Sequence, residues 1–151
     1  MKLESAAFEP QGMLPSLHTC DGEDLSPPLS WDDPPEGTRC FALVSDDPDA
    51  PGGTWVHWVI WNIPPASRGL PQGMSKAAEL SDGTRQGVTD FRRVGYGGPC
   101  PPSGTHRYFF RLYALDTKLD LASGASRKDL EGSMSGHVLA QAELMGKYRR
   151  S

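Results

Sequence analysis

Residues 46–61 read DDPDAPGGTWVHWVIW, an acidic, proline-containing loop followed by an apolar run. Pro48 and Pro51 restrict the backbone, so the loop either holds its carboxylates in place or forms a solvated turn with side-chain-to-backbone hydrogen bonds. The run that starts at Trp55 is rich in aromatic and β-branched residues, which favours a β-strand. His57 lies inside this strand, close to the loop. The segment therefore predicts a strand that presents a histidine and a carboxylate at one end of a sheet.

A second segment, residues 95–108, reads GYGGPCPPSGTHRY and repeats this design. His106 and Tyr108 share one face of the predicted strand, because side chains alternate between the two faces of a sheet. If this strand lies beside the first, His106 and Tyr108 converge with Asp47 and His57. A lone histidine on an apolar strand is otherwise a core residue, so the convergence decides between the two interpretations.

The four side chains and the glycine-rich stretch Gly95–Gly98 suit a small anion. Imidazole and phenol groups donate hydrogen bonds, and successive backbone N–H groups can form an anion-binding nest. This chemistry favours phosphate, sulfate or carboxylate. Asp47 should repel a dianion, and either a protonated His57 or His106 or a monoprotonated phosphate would replace that repulsion with a charge-assisted hydrogen bond. Because histidine titrates at about pH 6.5, we expect weak binding that strengthens in mildly acidic solution and weakens again at stronger acidity.

The other apolar runs predict a mainly β, α+β fold in one domain, residues 1–151. The run around Phe41 has little polarity contrast, which predicts a strand covered on both faces. Residues 64–91 predict a long surface excursion with one weak strand near Gln86 to Thr89. Strands are predicted at Leu3 to Phe8, Leu29 to Trp31, Arg39 to Ser45, Trp55 to Ile63 and Arg107 to Leu115. Strands followed by terminal helices are typical of an antiparallel α+β domain.

The C-terminal segment has a helical pattern. Ser126 and Asp129 have the spacing of a capping box, which predicts the start of a helix. Apolar residues then recur every three or four positions, at Leu130, Met134, Val138, Ala142 and Met145. Such a stripe is typical of a helix packed against a core. Gly132 and Gly136 divide the segment into a short helix and a longer one from about Ser135 to Tyr148.

The composition excludes several classes of protein. With 15 Lys and Arg against 19 Asp and Glu, the formal net charge is −4. This charge argues against nucleic-acid binding, which needs a basic face. No apolar run reaches the roughly 18 residues of a membrane span. The chain starts at Met1 without the apolar core of a signal peptide, so with Met1 as the natural start we expect a cytoplasmic protein.

The sequence also lacks the motifs of several chemical sites. Cys20, Cys40 and Cys100 form no CxxC pair, so we expect free thiols rather than a zinc site. The acidic loop is no EF-hand, because position 58 is Trp where a carboxylate is needed. Two histidines and a carboxylate raise the idea of a metal triad, but no HxE or HxD ligand pair is present. Neither a P-loop nor a GxSxG elbow occurs. We therefore predict no metal, no cofactor and no catalytic residue.

These segments resemble the phosphatidylethanolamine-binding protein family, in its bacterial and archaeal Raf-kinase-inhibitor-like branch. The similarity covers nearly the whole chain. It rests on TCDGEDLSPPLSW at 19–31, DPDAP at 47–51 with WVH at 55–57, GYGGPCPP at 95–102 with HRY at 106–108, and GHVLA at 136–140. The resemblance implies an antiparallel β-sandwich-like fold with peripheral and C-terminal helices. It also implies a small pocket for phosphate-type anions and phospholipid head groups.

The resemblance assigns individual residues to this pocket. The family's pocket residues correspond to Asp47, His57, His106 and Tyr108. The rim of the pocket corresponds to Gly97, Gly98 and Pro99. The resemblance further implies a cis peptide bond between Ala50 and Pro51. The spacing from Tyr96 to His106 is the shorter, prokaryotic one, so the kinase binding of animal relatives is not expected here.

Three functions from different classes are compatible with these features. We expect a ligand-binding, regulatory protein that takes a small anionic ligand and is not an enzyme. The alternative is a protein-interaction module such as a serine protease inhibitor, with the rigid loops as its contact surface. A second copy of the chain, in a homodimer, is a further candidate partner. The third is a weak hydrolase that uses His57 or His106 as general base.

Overall fold

The computed structural model describes residues 1–150 as two antiparallel β-sheets with one α-helix. The elements are β1 (Leu3–Glu4), β2 (Leu29–Trp31), β3 (Cys40–Asp47), β4 (Trp55–Ile63), β5 (Gly69–Leu70), β6 (Arg85–Gln86), β7 (His106–Leu115), α1 (Arg127–Met134) and β8 (Val138–Tyr148). The large sheet has the strand order β6-β4-β3-β7-β8, and the small sheet has the order β1-β2-β5. The predicted mainly β, α+β fold class is confirmed.

Strand β3 is covered on both faces, as its uniform apolarity predicts. Phe41 points into the cluster between the two sheets, where its ring centroid lies 5.2 Å from that of Trp31. Val44 points to the opposite face and joins the cluster beneath α1, together with Leu130. The large sheet is therefore the middle layer of the molecule, with the small sheet on one side and the helix on the other.

The excursion at residues 64–91 contains the two short strands β5 and β6. The weak strand predicted near Gln86 to Thr89 occurs one residue earlier, at Arg85–Gln86. Gln86 is fully buried, and its Oε1 accepts a hydrogen bond of 2.8 Å from Nε1 of Trp58. This contact ties the excursion to the large sheet.

The helical part of the C-terminal prediction is confirmed only as far as Met134. The side chain of Ser126 accepts a hydrogen bond from the backbone N–H of Asp129, and the carboxylate of Asp129 accepts one from the N–H of Ser126, both at 3.2 Å. This reciprocal capping box starts α1. Leu130 and Met134 are its buried residues, which matches the first part of the apolar stripe.

The second predicted helix, from about Ser135 to Tyr148, is wrong. This segment forms β8, which pairs with β7 from Leu115 opposite Val138 to His106 opposite Tyr148. Gly136 breaks the helix with a φ of +83°, a conformation open mainly to glycine. Pairing along almost the whole of β7 satisfies the backbone of β8, and this long-range contact outweighs the local helical pattern.

The prediction of free thiols is wrong for two of the three cysteines. Cys20 and Cys100 form a disulfide, with their Cα atoms 5.4 Å apart. Cys40 is free and buried, and burial raises the pKa of its thiol to about 11. The sequence spacing gives no sign of the disulfide, because a disulfide depends on the distance between two Cα atoms and not on their separation along the chain.

Candidate functional site

A cavity of about 250 Å³ opens at one end of the large sheet, where β3 ends and β4 and β7 begin. Antiparallel pairing sets Asp47 opposite Trp55 and Asp46 opposite Phe109, so the three strand ends meet. The cavity is lined by Asp47, Ala50, Pro51, Trp55, His57, Phe91, Cys100, Pro101, Pro102, His106 and Tyr108. The structure thus brings together four of the seven predicted site residues, one from the end of β3, one from the start of β4 and two from the start of β7.

The first polar group of the cavity is the buried pair of His106 and Asp47. Nδ1 of His106 lies 2.6 Å from Oδ2 of Asp47, and Nε2 lies 3.1 Å from the carbonyl oxygen of Ser103. Both partners are acceptors, so both contacts are hydrogen bonds only when the ring carries a proton on each nitrogen. The pair fixes the ring of His106 against the cavity wall.

The second polar group is His57, which is buried and oriented by a backbone carbonyl. Its Nδ1 lies 2.6 Å from the carbonyl oxygen of Gly97, which makes Nδ1 the donor and leaves Nε2 as an acceptor in the neutral ring. Burial lowers the pKa of His57, although the hydrogen bond to Gly97 acts in the opposite direction. At neutral pH the ring is therefore uncharged, and it offers a lone pair rather than a proton.

The third polar group is the hydroxyl of Tyr108. It is buried and has no hydrogen-bond partner among the described residues. Burial raises the pKa of Tyr108 above its ordinary value, so the phenol stays protonated. Its ring packs edge-on against His57, with centroids 5.3 Å apart, and stacks on His106 at 6.4 Å. Buried polar groups in proteins are nearly always paired, so this hydroxyl is available to a bound molecule.

The acidic loop is held by hydrogen bonds at both of its carboxylates. Oδ1 of Asp47 accepts a bond of 2.8 Å from the backbone N–H of Asp49. The carboxylate of Asp49 accepts bonds of 2.8 and 2.9 Å from the guanidinium of Arg107, and these bonds lower the pKa of Asp49 to about 2. The loop therefore combines the two interpretations of its sequence. It is a hydrogen-bonded turn, and it also presents Asp47 to the cavity.

The expected cis peptide bond between Ala50 and Pro51 is wrong, because no peptide bond in residues 1–150 is cis. The trans form is favoured by about 0.5–1 kcal/mol even before proline. The loop turns here with a backbone hydrogen bond of 3.1 Å, which the N–H of Gly53 donates to the carbonyl oxygen of Ala50.

The three predicted rim residues are not among the residues that line the cavity. The carbonyl of Gly97 orients His57, the N–H of Gly98 donates to Oδ1 of Asp24 at 2.8 Å, and the carbonyl of Pro99 accepts from the N–H of Cys20 at 3.1 Å. The N–H of Gly97 also donates to the carbonyl of His57 at 2.9 Å, so the N–H groups of Gly97 and Gly98 are already bonded within the protein and are not free for the anion nest expected of Gly95–Gly98.

Residues that the sequence analysis missed form much of the cavity wall. Phe91 contacts both His57 and Trp55, with ring centroids 5.3 and 5.5 Å apart. The opposite wall consists of Cys100, Pro101 and Pro102. Two features of the sequence could have indicated these wall residues. Phe91 is an isolated aromatic residue in a polar excursion, and residues 99–102 read PCPP, in which three prolines restrict the backbone.

Within residues 1–150, no group of three or more His, Cys, Asp or Glu side chains has the arrangement of a metal site. No helix in the same range is long and apolar enough to cross a membrane.

Comparison with known proteins identifies similar chains along the whole length. The family model described as phosphatidylethanolamine-binding protein matches residues 4–149. A UPF0098 protein of Methanothermobacter thermautotrophicus is 57% identical over 150 residues, which are 99% of each chain.

Solved structures agree with this comparison. The crystal structure of a phosphatidylethanolamine-binding protein homologue from Chlamydia trachomatis has a TM-score of 0.92 and 36% identity, and the match covers 99% of this chain and 97% of the other. Escherichia coli YbcL, described as a member of the mammalian family of that name, has a TM-score of 0.91 and 34% identity, with coverage of 99% and 98%.

Proposed function

Because this chain belongs to the phosphatidylethanolamine-binding protein family, we propose that its cavity binds a small phosphate-type anion or the phosphate-bearing head group of a phospholipid. The family and the similar structures carry the name of such a phospholipid. A volume of about 250 Å³ suits a head group rather than a drug-sized molecule. The aromatic and proline walls would contact the apolar part of such a ligand.

The unpaired hydroxyl of Tyr108 is the observation that carries this proposal. It is a neutral donor, buried in a wall of the cavity, with no acceptor among the described residues. A phosphate oxygen is a strong acceptor and would complete its hydrogen bonding. An unpaired donor in the wall of the cavity favours a ligand with an acceptor over a purely apolar ligand.

The other polar groups restrict the charge of the ligand. No Lys or Arg lines the cavity, whereas Asp47 does. A dianion would therefore meet the carboxylate of Asp47, and no Lys or Arg would compensate for the repulsion. His57 is neutral and does not compensate for it either. A monoanion brings a P–OH group that can donate to Nε2 of His57, while its other oxygens accept from Tyr108. We propose that the ligand binds as the monoanion.

The lining also favours binding over hydrolysis. It contains no Ser or Thr, and its one cysteine, Cys100, is in the disulfide. A covalent mechanism would need an activated nucleophile within reach of a base. Neither His57 nor His106 has a Ser, Thr or free Cys nucleophile beside it in the cavity wall.

Calorimetry with inorganic phosphate and phosphoethanolamine tests the proposal. Tyr108→Phe should weaken binding about tenfold, since one hydrogen bond to a charged acceptor contributes about 1.5 kcal/mol. Tyr113→Phe is the matched control, because Tyr113 lies on the same strand but packs on the opposite face of the sheet. Equal binding by the two variants, or no binding by the wild type between about pH 5 and 8, would contradict the proposal.

The pH profile adds an independent measurement. Binding should strengthen as the pH falls from about 8, because the monoanion of a phosphate ester replaces the dianion near its second pKa of about 6. Since burial lowers the pKa of His57, protonation of its ring should add to binding only below the ordinary histidine range of about 6.5.

A further inference from the structure

The disulfide between Cys20 and Cys100 forms part of the cavity wall. Cys100 lines the cavity, and the two cysteines are 80 residues apart in sequence. Both are exposed residues, whereas the third cysteine, Cys40, is buried on the helix side of the large sheet. The disulfide is thus open to a partner in solution.

This disulfide is the main anchor of the loop that closes the cavity. Hydrogen bonds at Gly98 and Pro99 hold the chain just before Cys100. Residues 100–105 make one further polar contact with the rest of the described chain. It joins the carbonyl oxygen of Ser103 to Nε2 of His106. Pro101 and Pro102 have no N–H to donate. Without the disulfide, these six residues would be held only by this contact and by the packing of Pro101, which is buried.

We propose that the Cys20–Cys100 disulfide is a thiol–disulfide exchange site, at which a dithiol reductant opens the wall of the cavity. One thiolate of the reductant attacks a sulfur of the disulfide and releases the other cysteine as a thiolate. The second thiol of the reductant then resolves the mixed disulfide. The protein gains two electrons and two protons as two thiols, and the dithiol leaves as a disulfide.

The attacking thiol has to come from outside the chain. Cys40 is separated from the cavity by the large sheet, and burial raises the pKa of its thiol to about 11, so it is not a thiolate at neutral pH. An exposed disulfide next to a ligand cavity, with no internal thiol to exchange with, suits regulation by a reductant of the cell.

Reduction should change the cavity rather than the whole fold. The loop would lose its cross-link, which would loosen the proline wall and the Ser103 carbonyl that contacts His106. The ligand would then have to order the loop again, so we expect phosphate binding to weaken about tenfold, equivalent to about 1.4 kcal/mol of ordering. This expected loss rests on the proposed function, whereas the exchange reaction does not.

The experiment compares the full chain before and after treatment with dithiothreitol under native conditions. Alkylation followed by mass spectrometry should label Cys20 and Cys100 together and leave Cys40 unlabelled. The backbone amides of Cys20 and Gly98 should lose protection from hydrogen exchange, while those of Val44 and Phe110 in the large sheet should keep it. Calorimetry with inorganic phosphate then measures the loss of affinity.

Two variants provide the controls. Cys20→Ser/Cys100→Ser should behave as the reduced protein and ignore dithiothreitol, and Cys40→Ser should respond like the wild type. If the double variant does not fold, the reduced wild type provides the same measurement.

The possible results are distinguishable. Labelling of Cys20 and Cys100 only after denaturation, or unchanged exchange at Cys20 and Gly98 after reduction, would overturn the exchange site. Failure of the oxidised wild type to bind phosphate would overturn the proposed function alone, because alkylation and hydrogen exchange still test the disulfide. Equal phosphate binding in both redox states would overturn the claim that reduction of the disulfide weakens ligand binding in the cavity.

Discussion

At the scale of single residues, one hydrogen bond decides what His57 can do. From its place in the sequence, His57 is a candidate cation for an anionic ligand. In the structure the carbonyl of Gly97 fixes Nδ1 as the donor, and burial lowers the pKa of the ring. The residue is therefore an acceptor at neutral pH. The acid-dependent binding expected from the sequence then depends first on the protonation of the ligand, and on His57 only at lower pH.

The lowered pKa of His57 predicts a pH dependence of stability. The unfolded chain takes up a proton on this histidine near its ordinary pKa of about 6.5, whereas the folded protein does so only at lower pH. Stability due to His57 is complete above about 6.5 and is lost as the pH falls through the folded pKa. Urea unfolding at about pH 7.5 and 5.5 should show a smaller loss for His57→Gln than for the wild type.

The control for this prediction is His137→Gln. His137 is a half-exposed histidine whose Nδ1 lies 2.8 Å from a carboxylate oxygen of Asp116. It is far along the sequence from the residues that line the cavity. This variant should keep the contribution of His57. If the free energy of unfolding changes with pH identically in His57→Gln and in the wild type, the burial of His57 is not the source of this pH dependence. Asp49, with a pKa of about 2, affects stability only in far more acidic solution.

At the scale of elements, helix α1 is attached to the sheet by a buried charge as well as by apolar packing. Asp46 of β3 is 1% exposed and lies between two guanidinium groups. Nη1 of Arg127, the first residue of α1, is 2.6 Å from its Oδ2, and Nη2 of Arg111 on β7 is 3.1 Å from its Oδ1. One carboxylate therefore connects two strands and the helix.

This cluster predicts the effect of a substitution in α1. Arg127→Met keeps an apolar stem but removes a charged hydrogen bond to a buried carboxylate, which should lower the free energy of unfolding by about 1.5–3 kcal/mol. Lys128→Met is the matched control, because Lys128 is exposed on the same helix. Urea denaturation should separate the two variants. Equal stability would mean that Arg111 alone satisfies Asp46.

Strand β8 shows why an element can contradict its local pattern. Its apolar residues fit a helical stripe, but small and apolar residues also occur at every second position from Val138 to Tyr148. The strand pairs with β7 and buries Leu144, Gly146 and Tyr148. Gly146 lies beside Phe8 and Leu14 and leaves no room for a larger side chain. When a sequence pattern fits both the helical and the strand period, the available partner strand decides which element forms.

At the scale of the whole molecule, the disulfide closes a loop of 80 residues that includes β2 to β6. In the chain-entropy account such a cross-link stabilises the fold by about 2–4 kcal/mol, because it restricts the unfolded chain. For a domain of this size, 1 kcal/mol shifts the melting temperature by about 2–4 °C. Cys20→Ser/Cys100→Ser should therefore melt about 5–15 °C below the wild type.

Thermal unfolding followed by circular dichroism measures this difference. The wild type in dithiothreitol should show the same decrease as the double variant, and the double variant should not respond to dithiothreitol. A wild type that melts at one temperature with and without the reductant, once reduction has been verified by alkylation, would contradict the prediction.

The sequence by itself determined the middle of the fold and most of the polar site. The uniform apolarity around Phe41 predicted a strand covered on both faces, and the alternation at His106 and Tyr108 put both on one face. These properties follow from the period of a strand and the stiffness of proline loops, which act over a few residues. With two such loops beside two strands, the convergence of Asp47 and His57 with the start of β7 could be anticipated.

The tertiary structure alone decided what depends on distant partners. Only the fold shows that Cys20 meets Cys100, that β8 is a strand, and that the backbone of Gly97 is used inside the protein. It also decided the charge state of His57 and left the hydroxyl of Tyr108 unpaired. Burial, pKa and hydrogen-bond satisfaction are properties of surroundings assembled from across the chain, so no local pattern contains them.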